Sequence, residues 1–257
     1  MAIDISIIVP VYNEQENILP LAREIAAAMQ NEARSYEVVF VDDASTDGTW
    51  DGIIEAHEKN VRVRGLRHTR NAGQSAALWT GIQATRSSII ATLDGDLQND
   101  PADLPRLLAE IERCDFVCGV RVKRRDNFVR RLSSNIARKA RYWVLGVDFC
   151  DTGCGFRVFK RSALKGVFPF NGLHRFLPIL VHGAGASTRE IPINHRERVA
   201  GISKYGIRNR LGRGVFDLLA MAWYQRRRVD HVSFEELQNE DATERPRGKI
   251  EQTSVEP

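Results

Sequence analysis

The 257-residue sequence contains neither G-x-G-x-x-G nor G-x-x-x-x-G-K-[ST]. Their absence disfavours a Rossmann dinucleotide site and a P-loop. Long apolar runs are missing too. A membrane-spanning helix needs about 20 apolar residues, whereas the most apolar late stretch, Val215 to Tyr224, is short and carries Asp217. The first residues run straight into IDISIIVPVYNE, with no basic n-region and no long apolar h-region, so no secretory signal is expected. The expected compartment is cytoplasmic. Cysteine is scarce: Cys114, Cys118, Cys150 and Cys154 form two C-x-x-x-C pairs. Structural zinc sites use tighter spacing at one end or add histidines, so buried reduced thiols are expected instead.

What is present suits a globular enzyme-sized chain. Hydrophobic residues make up 43% and charged residues 27%, enough apolar material for a sizeable core and too much for a disordered or collagen-like chain. The net charge is +4 and the isoelectric point about 9.0, but the distribution says more than the mean. Between Arg121 and Arg141, nine basic residues are opposed only by Asp126. A second basic region holds Arg196, Arg198, Lys204, Arg208, Arg210 and Arg213, and a third is Arg226 to Arg228. Such clusters in one half of a chain suit phosphate, nucleic-acid or anionic-membrane surfaces.

Hydrophobic patterning divides the chain. Ile5–Tyr12, Tyr36–Asp43, Val61–His68, Ser87–Asp94 and Cys114–Val120 read as strands, separated by helical periodicity over Glu14–Met29, Asp47–His57, Asn71–Thr85 and Asp100–Glu112. Alternation of this kind predicts an α/β fold: a mostly parallel, doubly wound sheet with helices on both faces. The alternating Val61–His68 strand is expected nearer an edge. The second half predicts a basic helix over Asn127–Leu145, short strands at Phe156–Phe159 and Ser187–His195, and an apolar helix over Leu173–His182. A C-terminal amphipathic helix is expected over Ile207–Arg227. We divide the chain into a domain over 1–230, with a nucleotide-binding half (1–121) and an acceptor-facing half (122–230). A polar tail over 231–257 is expected to be disordered.

In open parallel sheets ligands bind at the carboxyl ends of the strands. Here those ends are polar: Tyr12-Asn13-Glu14, Asp42-Asp43-Ala44-Ser45 and Asp94-Gly95-Asp96-Leu97-Gln98. Asp94 and Asp96 are two residues apart, so in extended backbone their carboxylates share one side. Such a pair, with Gln98 as a further oxygen donor, suits a hard divalent cation such as Mg²⁺ or Mn²⁺. Gly95 permits close approach of another chain segment. A shared face argues against the opposed acid and nucleophile of a glycosidase. Three acidic strand ends around one site argue against nucleic acid.

The segments IIVPVYNEQENI, VVFVDDASTDGT, NAGQSAAL and ATLDGDLQNDP resemble glycosyltransferase family 2, with its GT-A fold. The later GVR, DTGCGFRVFKR and RVAGISKYG resemble the polyprenyl-phosphate glycosyltransferases of the dolichyl-phosphate mannose synthase type. This resemblance implies that Pro10, Tyr12, Glu14, Val41 and Asp43 bind the nucleoside, with Asp43 accepting from the base. It implies that Asp94, Gly95, Asp96 and Gln98 hold the metal and diphosphate. Arg121 then contacts the donor or acceptor phosphate, Arg130 and Ser134 meet the acceptor phosphate, and Arg198 and Lys204 lie on a basic loop that closes over the diphosphate. Asp96 and Arg121 become the principal catalytic residues, with Asp151 as candidate base or acceptor-side residue.

The implied reaction is inverting transfer of a sugar from a nucleotide-diphosphate sugar, GDP-mannose or a UDP-sugar, to dolichyl or undecaprenyl phosphate. A phosphate monoester has a second pKa of about 6, so it is already nucleophilic at neutral pH and needs positioning more than a general base. Peripheral contact with the cytoplasmic face of an anionic membrane would come from Asn127–Leu145 and Val215–Arg228. The alternatives are a glycosyltransferase acting on a glycan or other hydroxyl acceptor, which would need a base, and a non-enzymatic nucleotide-binding module.

Overall fold

The computed structural model describes residues 3–121, 138–139, 142–196 and 208–227. Strands β1 (Ile5–Val11), β2 (Tyr36–Asp42), β3 (Val63–Arg67) and β4 (Ile89–Thr92) are linked by helices α1 (Gln15–Ala28), α2 (Thr49–Lys59) and α3 (Gln74–Gln83). A 3₁₀ turn (Pro101–Asp103) and α4 (Leu104–Glu110) lead to β5 (Phe116–Arg121). After it come β6 (Arg157–Lys160), α5 (Leu173–Gly183), β7 (Thr188–Ile193) and α6 (Arg208–Arg227). The seven strands form one sheet in the order β3-β2-β1-β4-β6-β5-β7.

The expected α/β architecture is observed. β1 pairs in parallel with both β2 and β4, and β5 with β7, while β6 runs antiparallel between β4 and β5. The β-branched residues of β1 and the whole of β2 are buried, as expected of central strands covered on both faces. One apolar layer joins α1, α2 and α4 to the sheet through Ile18, Leu21, Ile25, Ile53 and Leu107. The other packs α3, α5 and α6 on the opposite face through Leu78, Ile82, Leu177, Val181 and Met221. A buried polar ladder crosses the first three strands: Ser6 Oγ donates to Glu37 Oε1 at 2.7 Å and Arg64 Nη1 to Glu37 Oε2 at 2.5 Å. These partners offset the desolvation of the Glu37 carboxylate.

Local chemistry explains where elements start later or stop sooner than the periodicity predicts. α3 begins at Gln74 rather than Asn71, because Gly73 sits at φ 89° and cannot extend the helix. The segment from Asp100 opens as a 3₁₀ turn capped by Asp100, whose side chain accepts from Ala102 N, and α4 stops at Glu110. β3 lies at the sheet edge, as its alternation predicts. Most of the Asn127–Leu145 helix, Arg130, Ser134, Arg198, Lys204 and the tail over 231–257 lie outside the described residues.

Candidate active site

Because α1, α2 and α3 return the chain in the same sense, the carboxyl ends of β1, β2 and β4 open on one side of the sheet. β1 has β2 on one flank and β4 on the other, which places a topological switch point between β1 and β4. The positive-φ non-glycine residues of the described chain are Asn13 (54°), Ala44 (59°) and Leu97 (58°). They fall on the loops after β1, β2 and β4. Strained backbone of this kind persists where surrounding contacts over-determine it. Those contacts are present: Asn13 N donates to Ser45 Oγ at 2.9 Å, Thr46 N to Asn13 Oδ1 at 2.8 Å, and Glu14 N to Thr49 Oγ1 at 2.8 Å. The PVYNE loop is thus stitched to the DDAST loop, and Pro10, Tyr12 and Glu14 stand half-buried beside it.

Asp43 is buried at 3% exposure. Its carboxylate accepts from Ala72 N at 2.9 Å and Gly73 N at 2.7 Å, and bonds His68 Nδ1 at 2.7 Å. His68 Nε2 bonds Thr80 Oγ1 at 2.9 Å. Asp43 therefore fixes the loop between β3 and α3, a role the sequence did not reveal. Val41 is fully buried in the α3-side core. Beside these residues, Ala44, Ser45, Arg67, His68 and Thr69 line an open cleft of about 540 Å³. Arg67 lies over the Trp50 ring, 5.4 Å from its centroid, and pairs with Asp42 at 3.2 Å.

Asp94 and Asp96 follow β4. Burial pushes the Asp94 carboxyl upward, and the nearby Asp96 charge raises it further; Arg157 and Arg121 pull the other way. Gln74 Nε2 donates to Asp94 Oδ1 at 3.0 Å and Asn99 Nδ2 to Oδ2 at 3.4 Å. Gln98 N donates to Asp96 Oδ1 at 3.3 Å. Gly95 presses on the end of β1: a Cβ there would meet Val11 Cγ1 at 2.5 Å. An Asp94 carboxyl held up by its own burial and by the Asp96 charge beside it fits a divalent cation, which would reverse that effect. Among the described residues no group of three or more His, Cys, Asp or Glu side chains forms a metal site. Mg²⁺ typically takes only one or two protein carboxylates and completes its shell with water and substrate phosphates, so Asp94, Asp96 and Gln98 fit such a cation.

Three neighbours complete this corner. Thr92 Oγ1 donates to Gly155 O at 2.6 Å, and a Cβ on Gly155 would lie 2.2 Å from Asp94 Oδ1. Arg157, 2% exposed, donates through Nη2 to Thr152 O at 2.9 Å, while its buried Nε has no hydrogen-bond partner among the described residues. Arg121, at the end of β5, holds Asp151 in a two-point ion pair, Nε to Oδ2 at 2.6 Å and Nη2 to Oδ1 at 2.7 Å. Both Asp151 oxygens are therefore engaged by a guanidinium, an arrangement suited to orienting Arg121. Nearby His174, whose Nδ1 bonds Ser75 Oγ at 2.7 Å, is pushed down to about 3 by burial and by Arg175 and Arg157. It is neutral at physiological pH.

Gly155→Ala gives a first expected result. The added methyl has no room beside Asp94, so Mn²⁺-dependent binding of a nucleotide sugar should fall at least tenfold by calorimetry, with helix content retained. Unchanged metal-dependent binding would contradict this placement of Asp94.

The matching family model, glycosyl transferase family 2, covers residues 6–168. The chain belongs to this family. A dodecaprenyl-phosphate galacturonate synthase of Rhizobium johnstonii is 37% identical over 88% of this chain and 68% of its own length. An undecaprenyl-phosphate 4-deoxy-4-formamido-L-arabinose transferase of Shewanella sediminis is 38% identical over 84% of this chain and 65% of its own. The chain thus spans about two thirds of the length of these relatives. Glucosyl-3-phosphoglycerate synthase of Mycobacterium tuberculosis, solved with Mn²⁺, uridine diphosphate and phosphoglyceric acid, superposes with a TM-score of 0.62 at 19% identity. That match covers 88% of this chain and 80% of the other. This likeness establishes a shared GT-A fold.

Proposed function

We propose that this family 2 protein transfers a sugar from a nucleotide-diphosphate sugar to a polyprenyl phosphate. The observation that carries the reading is the pairing of two ends of one site: the Asp94–Asp96 carboxylates after β4 and the Arg121 guanidinium after β5. The first suits a metal-bound diphosphate and the second a phosphate monoester. The names of the two relatives support the acceptor class.

In this reading the nucleoside occupies the cleft beside Ser45, Arg67 and His68, with Pro10, Tyr12 and Glu14 beside it, while the buried Val41 and Asp43 support it from behind. Asp94, Asp96 and Gln98 hold the cation. When bound, it supplies Lewis-acid stabilisation of the leaving diphosphate. Arg121 orients the acceptor phosphate, together with Arg130 and Ser134, and Asp151 holds Arg121 in place. An oxygen of the phosphate dianion attacks the anomeric carbon from the face opposite the leaving group. The bond from that carbon to the diphosphate oxygen breaks, and its electron pair stays on the nucleoside diphosphate. The product is an inverted sugar–phosphate diester, and no proton has to leave the nucleophile. Arg198 and Lys204 supply positive charge that stabilises the leaving diphosphate.

No helix among the described residues is long and apolar enough to cross a membrane. We propose that the lipid is met at the bilayer surface through α6. Its inner face packs Leu218, Met221, Ala222 and Tyr224 against the core. Its outer face leaves Phe216 72%, Leu219 60% and Trp223 66% exposed, ahead of Arg226 and Arg227. An apolar stripe followed by arginines matches an interfacial helix at an anionic membrane. The triple variant Phe216→Ser, Leu219→Ser, Trp223→Ser should lose sedimentation with anionic phospholipid vesicles while keeping its melting temperature. Undiminished sedimentation would remove α6 from the membrane contact.

The reaction is tested by incubating the purified protein with Mn²⁺, a short polyprenyl phosphate and a panel of donors, read by mass spectrometry. The panel holds GDP-mannose, UDP-hexoses, and nucleotide-linked galacturonate and 4-deoxy-4-formamido-L-arabinose. A polyprenyl phosphate gaining one sugar mass supports the proposal. Sugar found only on a glycan hydroxyl supplied in parallel would favour the hydroxyl-acceptor alternative.

A further inference from the structure

We infer that Glu190 is a positioning residue for Arg121, acting through the main chain at residues 150–151 and the Asp151 carboxylate. The inference rests on the reading that Arg121 meets the acceptor phosphate. β7 lies in parallel beside β5, with Glu190 opposite Cys118 and Ile193 opposite Arg121. From this edge strand Glu190 Oε1 accepts two main-chain N–H groups, from Cys150 at 2.8 Å and from Asp151 at 3.3 Å. Asp151 in turn receives Nε and Nη2 of Arg121 at 2.6 and 2.7 Å. A chain of charge-assisted contacts therefore runs from β7, through the segment preceding β6, to the guanidinium at the end of β5.

The segment from Cys150 to Phe156 is neither helix nor strand, so no helix or sheet ladder supplies acceptors for the peptide N–H groups of Cys150 and Asp151. A carboxylate supplies the strongest kind. A two-point ion pair depends on angle as well as distance, so a small rotation at the Asp151 peptide would break one of its two bonds. Arg121 has little freedom to follow, its side chain being only 16% exposed. The adjacent Arg189 is directed elsewhere, to Glu110. Glu190 thus faces the 150–151 segment while its neighbour on β7 serves α4.

The test compares Glu190→Ala, Glu190→Gln, Asp151→Ala, the Glu190→Ala/Asp151→Ala double variant and Arg121→Ala. Each is assayed for kcat and for both KM values, with melting temperature recorded. Glu190→Ala should raise the polyprenyl-phosphate KM by about tenfold, in the range seen when outer partners of functional side chains are removed, with donor KM unchanged. Glu190→Gln keeps a carbonyl oxygen within reach of the same two N–H groups and should recover most of the loss. In the Asp151→Ala background Glu190→Ala should add nothing, since the two act along one path. An unchanged acceptor KM in Glu190→Ala, or fully additive effects in the double variant, overturns the inference. So does a lowered melting temperature without an acceptor effect. Arg121→Ala separates the two levels. If it raises acceptor KM while Glu190→Ala does not, only the inference fails; if it leaves acceptor KM unchanged, the reading of Arg121 fails.

Discussion

Asp96→Ala is expected to lower sugar transfer by about 10³-fold, the scale of losing a principal electrostatic stabiliser of a developing negative charge. Asp96 lies beside Asp94 at the end of β4, and its charge raises the cost of ionising Asp94. Removing Asp96 takes away one of the two carboxylates assigned to the cation, and with it half of the negative charge that the protein offers it. The loss should therefore appear only through metal. Without metal, the variant and the parent should bind a nucleotide sugar equally weakly. With saturating Mn²⁺, only the parent should gain affinity. Calorimetry with and without EDTA checks this. A variant that keeps turnover, or a parent fully active in excess EDTA, would remove the metal from the account.

Arg121→Ala is expected to raise the acceptor KM by about 10- to 100-fold, since a hydrogen bond to a charged partner contributes about 1.5–3 kcal/mol. Donor KM should change little, because Arg121 ends β5 while the cleft beside Ser45 and His68 lies across the sheet at β2 and β3. Arg121→Lys should fall between the two. A lysine keeps the charge but cannot hold Asp151 at two points. It also spares Asp151, 9% exposed, the loss of its cationic neighbour, so it separates the kinetic effect from stability. Equal effects on donor and acceptor KM would place Arg121 on the diphosphate instead.

The parts of the site that could be read from sequence share one property: they are local. Asp94 and Asp96 sit together in one loop, after an apolar run that can only be a strand, and their chemistry suits a hard cation wherever the chain goes. The carboxylate of Asp43 shows the limit of such reading: it is bonded to His68, Ala72 and Gly73, which the local sequence does not reveal. What escaped depends on pairing between distant segments. Gly155 and Arg157 reach Asp94 only because β6 inserts antiparallel between β4 and β5. Periodicity in GFRVF marks a short strand but not its neighbours. Arg157 is among the largest fully buried side chains, which its short strand pattern does not show. Gln74 stands inside a quoted motif, but its bond to Asp94 appears only once Gly73 sets the start of α3. The sequence offered Asp151 as a base or acceptor-side residue; its two-point pairing with Arg121 could not be read there, since the two lie in separate segments of the chain.

The central claim is that the sugar is joined to a phosphate oxygen and not to a hydroxyl. Phosphorus NMR of a reaction containing Mn²⁺, a competent nucleotide sugar and a short polyprenyl phosphate tests it most directly. The acceptor begins as a monoester, whose resonance moves with pH around its second pKa of about 6. This signal should be replaced, in proportion to nucleoside diphosphate released, by a diester signal that does not move with pH in that range. Release of nucleoside diphosphate and consumption of sugar with the monoester signal intact would contradict it.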